Sequence, residues 1–142
     1  MRAGIVLILI TLMVVPSFAQ DNPGDQYPID IKMQHCLDTD SNQTTYVMCQ
    51  CSAVAREEWE VEMNMYLQLL MDTLTEEEGE KLKQAQQQWT EYRDAEIAFK
   101  NQLYTDMMGT MWRVVAAGRA YEIMRERALG LKGYYEMLTL DR

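Results

Sequence analysis

Beyond residue 44 the chain repeats one pattern, an apolar residue every three or four positions. The first run is Met48, Ser52, Ala55, Trp59, Met63, Tyr66, Leu70 and Leu74. The second is Leu82, Ala85, Trp89, Tyr92, Glu96, Phe99 and Leu103; the third is Val114, Ala117, Tyr121, Met124, Ala128, Leu131 and Tyr135. Each stripe places one apolar face on a helix, and alternating spacings of three and four suit coiled-coil-like packing. Thr75, followed by three glutamates at 76–78, has the capping-box pattern and predicts a helix start. Acids in that first turn also suit the positive end of the helix dipole. Gly109 and Thr110 mark the second break, with Thr110 as N-cap, and Gly130 and Gly133 predict a frayed end. No proline follows Pro28, which favours long helices. Short connections make neighbouring helices antiparallel, so the pattern predicts an all-α, up-down-up three-helix bundle over residues 41–142. Its first helix would run about 30 residues, or about 45 Å.

The N-terminus reads differently. Arg2 precedes an apolar run over residues 5–15, Pro16 ends it, and Ser17 and Ala19 are small residues at the −3 and −1 positions of a cleavage site. Residues 1–19 therefore read as a secretory signal peptide, too short to span a bilayer of about 30 Å. Residues 20–40 hold Pro23, Gly24, Pro28 and five aspartates, which predicts a loosely ordered segment pinned by Cys36. Export favours disulfides, and the cysteines are Cys36, Cys49 and Cys51. Cys49 and Cys51 point to different sides of a helix and cannot bridge each other. The bond is therefore Cys36 to Cys49 or Cys36 to Cys51, either worth about 3 kcal/mol in the chain-entropy picture. A metal cluster with His35 lacks a second histidine and zinc-like spacing. The sequon at Asn42 would matter only in a eukaryotic secretory pathway.

Composition narrows the function classes. Thirteen basic residues face 22 acids, for a net charge of −9, or −10 once the leader with Arg2 is removed. Such a balance repels nucleic acid. The single histidine leaves little room for His-based catalysis, and a three-helix bundle of this size offers little cleft for paired carboxylates, so no catalytic residue is assigned. Residues 56–80 carry a net −8 and residues 113–132 a net +3. Either the first and third helices lie side by side and partly neutralise each other, or Glu57, Glu58, Glu60 and Glu62 form an acidic ridge for a cationic partner. Methionines such as Met63, Met65, Met107, Met108 and Met111 could hold Cu(I) through soft thioethers, but at helical spacings methionine serves more often as adaptable filler. No cofactor or metal is assigned.

Cys36, Thr45, Met48 and Cys49, then Trp59, Met63, Asn64 and Tyr66, then Leu82, Ala85, Gln86 and the run Trp89, Tyr92, Arg93, Asp94, Ala95, Glu96 resemble the DUF1311 family. That family contains the lysozyme-inhibitor LprI-like N-terminal domain of exported bacterial proteins. The W-x-x-Y-R-D-A-E run is the specific part, and Trp89, Tyr92, Arg93, Asp94 and Glu96 read as structural. Arg93, four residues after Trp89, is placed to stack on it. Glu96, inside an apolar stripe, needs a cation, and Arg119, Arg125 and Arg127 are candidates. Family members carry one cysteine just after the run and another in the third helix; here Ile97 and the neighbourhood of Arg119 lack them. The resemblance therefore implies the bond Cys36–Cys49, with Cys51 the free thiol.

The resemblance also implies a periplasmic or otherwise exported helical domain and, for some relatives, inhibition of lysozyme. The reading that follows is a non-enzymatic, protein-binding domain acting on lysozyme by occluding its cleft, through Glu57, Glu58, Glu60 and Glu62 or through the acidic turn at 76–80. A cell-envelope accessory module with another partner is the rival; metal handling through methionines and Cys51 is a second.

Overall fold

The computed structural model describes residues 27–39 and 44–140. The leader at 1–19 and the sequon at Asn42 lie outside these residues. Among the described residues four helices follow one another: α1 (Pro28–Asp38), α2 (Thr45–Thr73), α3 (Glu76–Thr105) and α4 (Met111–Leu140).

The three long helices stand where the stripes put them, and α1 corrects the expectation of a loose N-terminal segment. Pro28 starts that helix instead of preventing it, since its missing N–H is dispensable in a first turn. Asp30 sits in the same turn, on the favourable side of the dipole. Ile29 and Met33, four residues apart, then dock α1 against the core.

The core lies between α2 and α4. Ala55, Trp59, Met63 and Leu70 pack with Tyr121, Met124, Ala128 and Leu131, all of them buried. Leu70 and Leu131 are sealed from water, each worth about 1.5–3 kcal/mol relative to exposure. The two helices run parallel: the hydroxyl oxygens of Thr45 and Thr110 are 3.1 Å apart near one end, and Tyr66 meets Tyr135 with ring centroids 6.2 Å apart near the other. Their first-and-third pairing brings the acidic and basic segments side by side, as the milder reading of the charge pattern expects.

α3 is the antiparallel return. Its start is held by the predicted capping box: Thr75 Oγ1 accepts from Glu78 N, and Glu78 Oε2 accepts from Thr75 N at 2.9 Å. Gly79 tucks against α2, where a Cβ would meet Met71 Cε at 3.1 Å. From there α3 leans on α4 and stands farther off α2. Leu82 and Trp89 of the predicted stripe pack against the core, but the inner face drifts one position from the rest of it. Gln86, Arg93, Ile97 and Tyr104 turn inward, while Tyr92, Phe99 and Leu103 are exposed. The physical reason is that α3 carries apolar residues on two faces, and its partners select the face rich in long polar side chains.

After Thr105 the chain turns through Gly109, whose φ of 106° lies in the left-handed region that glycine tolerates. α4 continues through Gly130 and Gly133 to Leu140, so these glycines do not fray its end as expected.

Candidate functional site

Cysteine pairing differs from what the family resemblance implied. The bond joins Cys36 and Cys51, with Cα atoms 5.8 Å apart, and Cys49 is the free thiol. Two residues along a helix turn a side chain by about 200°. Only one of the two cysteines of α2 can therefore face α1; the buried Cys51 does, and the half-buried Cys49 points away.

Above that bond is a cluster that no sequence motif announced. The Asp30 carboxylate of α1 accepts from Trp59 Nε1 at 2.9 Å, from the Tyr121 hydroxyl, and from Arg125 Nε at 2.7 Å. The Arg125 guanidinium lies 5.5 Å from the Tyr27 ring centroid and 5.8 Å from that of Trp59, and the two rings meet edge to face at 5.3 Å. One carboxylate thus ties α1, α2 and α4 together. Burial, aided by the hydrogen bond to Asp30 and its charge, pushes the Tyr121 hydroxyl well above the usual tyrosine range, against the pull of Arg125. The partners lie far apart in sequence, so periodicity carried no signal for the cluster.

The signature run forms a second polar cluster between α3 and α4. Arg93 lies 5.3 Å from the Trp89 ring centroid, as its spacing predicts, and its guanidinium holds Asp94 at 2.8 Å. Arg127 of α4 also lies over Trp89, at 5.7 Å, and donates from Nε to Gln86 Oε1 at 2.9 Å. Burial pushes the Arg127 guanidinium below its usual pKa. Glu96, expected to pair with Arg119, Arg125 or Arg127 of α4, does not. It pairs within its own helix with Lys100 at 2.7 Å, because Arg119 is engaged by Glu122, Arg125 by Asp30 and Arg127 by Gln86. The run ties helices together, while Tyr92 faces outward.

The four candidate contact acids of α2 do not share one ridge. Glu58 pairs with Lys32 of α1, and Glu62, one turn on, shares that side. Glu60 looks toward α3, beside Arg56 and Arg93, and Glu57 is exposed on the outer surface. Consecutive positions on a helix diverge by about 100°, which disperses a run that looks continuous in the sequence.

The acids that do gather lie at the α2–α3 turn. Asp72, Glu76, Glu77, Glu78 and Glu80 are all exposed there, with Lys81 on Glu77 and Lys83 on Glu80. The parallel packing of α2 and α4 brings the last turns of α4 to the same end. Leu70, Leu74 and Leu82 form one side of a small apolar cavity of about 210 Å³, and Tyr134, Met137 and Leu138 the other. Tyr134 and Met137 are more than half exposed, and so is Leu140 beyond them. An apolar patch beside an acidic turn is an arrangement that a cationic protein can cover. Periodicity indicated the turn, but the neighbouring end of α4 is visible only in the fold.

Among the described residues, no group of three or more His, Cys, Asp or Glu side chains could hold a metal ion. No helix among them is long and apolar enough to cross a membrane. The family described as lysozyme inhibitor LprI matches the chain over residues 36–131. The crystal structure of an uncharacterized protein from Burkholderia thailandensis is similar to the chain, with a TM-score of 0.75 and 28% sequence identity. The similarity covers 81% of this chain and 57% of that one, so this chain spans little more than half of its length. No curated protein matches.

Proposed function

The chain belongs to the LprI lysozyme-inhibitor family, and from that premise we propose that it is an exported, non-enzymatic protein that binds lysozyme and inhibits it by covering the substrate cleft. The observation that carries this reading is the family match, which runs from Cys36 in α1 to Leu131 in α4. The chain's net charge of −9 supports it, because an acidic protein is steered toward a strongly cationic enzyme.

Within this reading the docking end is the α2–α3 turn. Glu76, Glu77 and Glu80 provide long-range attraction, and Tyr134, Met137 and Leu140 provide apolar area to bury. Glu57, Glu58, Glu60 and Glu62 add to the field without forming a single contact surface.

The test is turbidity clearing by lysozyme with the oxidised mature chain added in steps. The reading expects saturable inhibition near an equimolar ratio, weakened by moderate salt. Charge reversal at Glu76, Glu77 and Glu80 should weaken it further, mainly at low salt. No inhibition of several lysozyme types at large excess would overturn the reading and leave the rival of an envelope accessory module.

A further inference from the structure

At the opposite end of the bundle, α3 and the α3–α4 turn stand off from α2 and α4 and leave a cavity of about 610 Å³. It is large enough for a drug-sized molecule. Its charge runs against that of the chain: Arg56 of α2 and Arg113 of α4 line it, and among the described residues no carboxylate does. Asn101, Thr105 and Thr110 add polar groups to its wall, and a run of alanines in α4 leaves room for an apolar body. Tyr104 and Trp112 stack at its rim with centroids 5.6 Å apart and planes 10° from parallel.

Arg56 is the unusual member. Its Nε is sealed from water, and among the described residues it has no hydrogen-bond partner. Buried polar atoms are nearly always paired, so this guanidinium is under-satisfied, and an anion in the cavity that Arg56 lines would compensate its charge. An adjoining cavity of about 420 Å³ shares Arg56, Ile97 and Asn101. Its carboxylates are Glu60 and Asp94, and Asp94 is already held by Arg93. The acids thus lie on one side of Arg56, and the acid-free space on the other.

We propose that the larger cavity binds a small organic anion, with its acidic group on Arg56 and Arg113 and its apolar or aromatic body along the alanines of α4 and the Tyr104–Trp112 pair. This site is at the far end from the acidic turn and is independent of lysozyme.

Fluorescence titration of the oxidised mature chain with anilinonaphthalene sulfonate, and with the uncharged phenylnaphthylamine, tests the assignment. The sulfonate should bind one saturable site and the uncharged dye about tenfold more weakly or less. Arg56→Gln and Arg113→Gln should each weaken the sulfonate about tenfold, with Arg56→Lys intermediate. Phe99→Ala, on the outer face of α3, should change nothing. Far-UV circular dichroism of each variant establishes that the helices persist. Sulfonate binding that is unchanged in Arg56→Gln, matched by the uncharged dye, or absent up to about millimolar concentration would each overturn the proposal.

Discussion

Replacing Asp30 with alanine removes one carboxylate that accepts from three side chains at once. Trp59 is 2% exposed and Tyr121 8% exposed, so water cannot readily replace the lost acceptor for either. A hydrogen bond to a charged group is worth about 1.5–3 kcal/mol, and a buried donor left unpaired costs about 1–3 kcal/mol. The three bonds share one acceptor, and the side chains of Asp30 and Arg125 are each 20% exposed, so their separate values do not add in full. A total of about 3–5 kcal/mol follows, the range for breaking a buried ion pair from one side. Urea unfolding followed by circular dichroism reads it directly: with a slope of about 2 kcal/mol per molar, the midpoint should fall by about 2 M. Asp30→Asn keeps an acceptor oxygen for Trp59 and should cost roughly half as much. A loss below about 1 kcal/mol for the alanine variant would refute the claim that this carboxylate joins three helices.

The remaining predictions concern other parts of the fold. Iodoacetamide should label the native oxidised chain at Cys49 alone; Cys36→Ala should lower stability by about 3 kcal/mol, and Cys49→Ala by less than about 1 kcal/mol, in urea titrations. The raised pKa of Tyr121 makes the folded state hold its proton more tightly than the unfolded chain does. Its contribution is complete below the ordinary tyrosine value of 10.0 and declines as pH rises above it, so the urea midpoint should fall in that alkaline range and fall less in Tyr121→Phe. At Gly130, where an added Cβ meets nothing within 4 Å, alanine should stabilise α4 by about 0.5–1 kcal/mol, seen as a higher midpoint.

α2 and α4 were legible because each buries one continuous face, so the apolar period and the burial period coincide. Trp59, Met63 and Leu70, and likewise Met124, Ala128 and Leu131, lie where the spacing put them. α3 was legible in extent but not in orientation. With Gln86, Arg93 and Tyr104 competing against Tyr92, Phe99 and Leu103, its sequence offers two faces, and only the neighbours choose between them. α1 was missed because eleven residues with a leading proline and two acids carry little periodicity, and its stability is tertiary. The disulfide turned on which side of α2 meets α1, a fact fixed only once α1 exists. The ion-pair partners of Glu96 and Asp30 were hidden for a related reason: competition among the arginines of α4 is settled in three dimensions. The Arg56 cavity needs α3 to stand off from α2, which no local pattern specifies.

The stand-off of α3 has a dynamic consequence. Gly79 is its one buried residue among those described, and its mid-helix polar links to the rest run through Gln86 and Trp89. Opening such a helix exposes little apolar surface, whereas separating α2 from α4 exposes the whole core. Backbone amides of α3 beyond the capped first turn should therefore exchange with deuterium through a local opening of low free energy, while those facing Trp59, Leu70 and Leu131 wait for global unfolding. On that exchange pattern α3 would open as one unit against the α1–α2–α4 body, between the turns at Thr75 and Gly109.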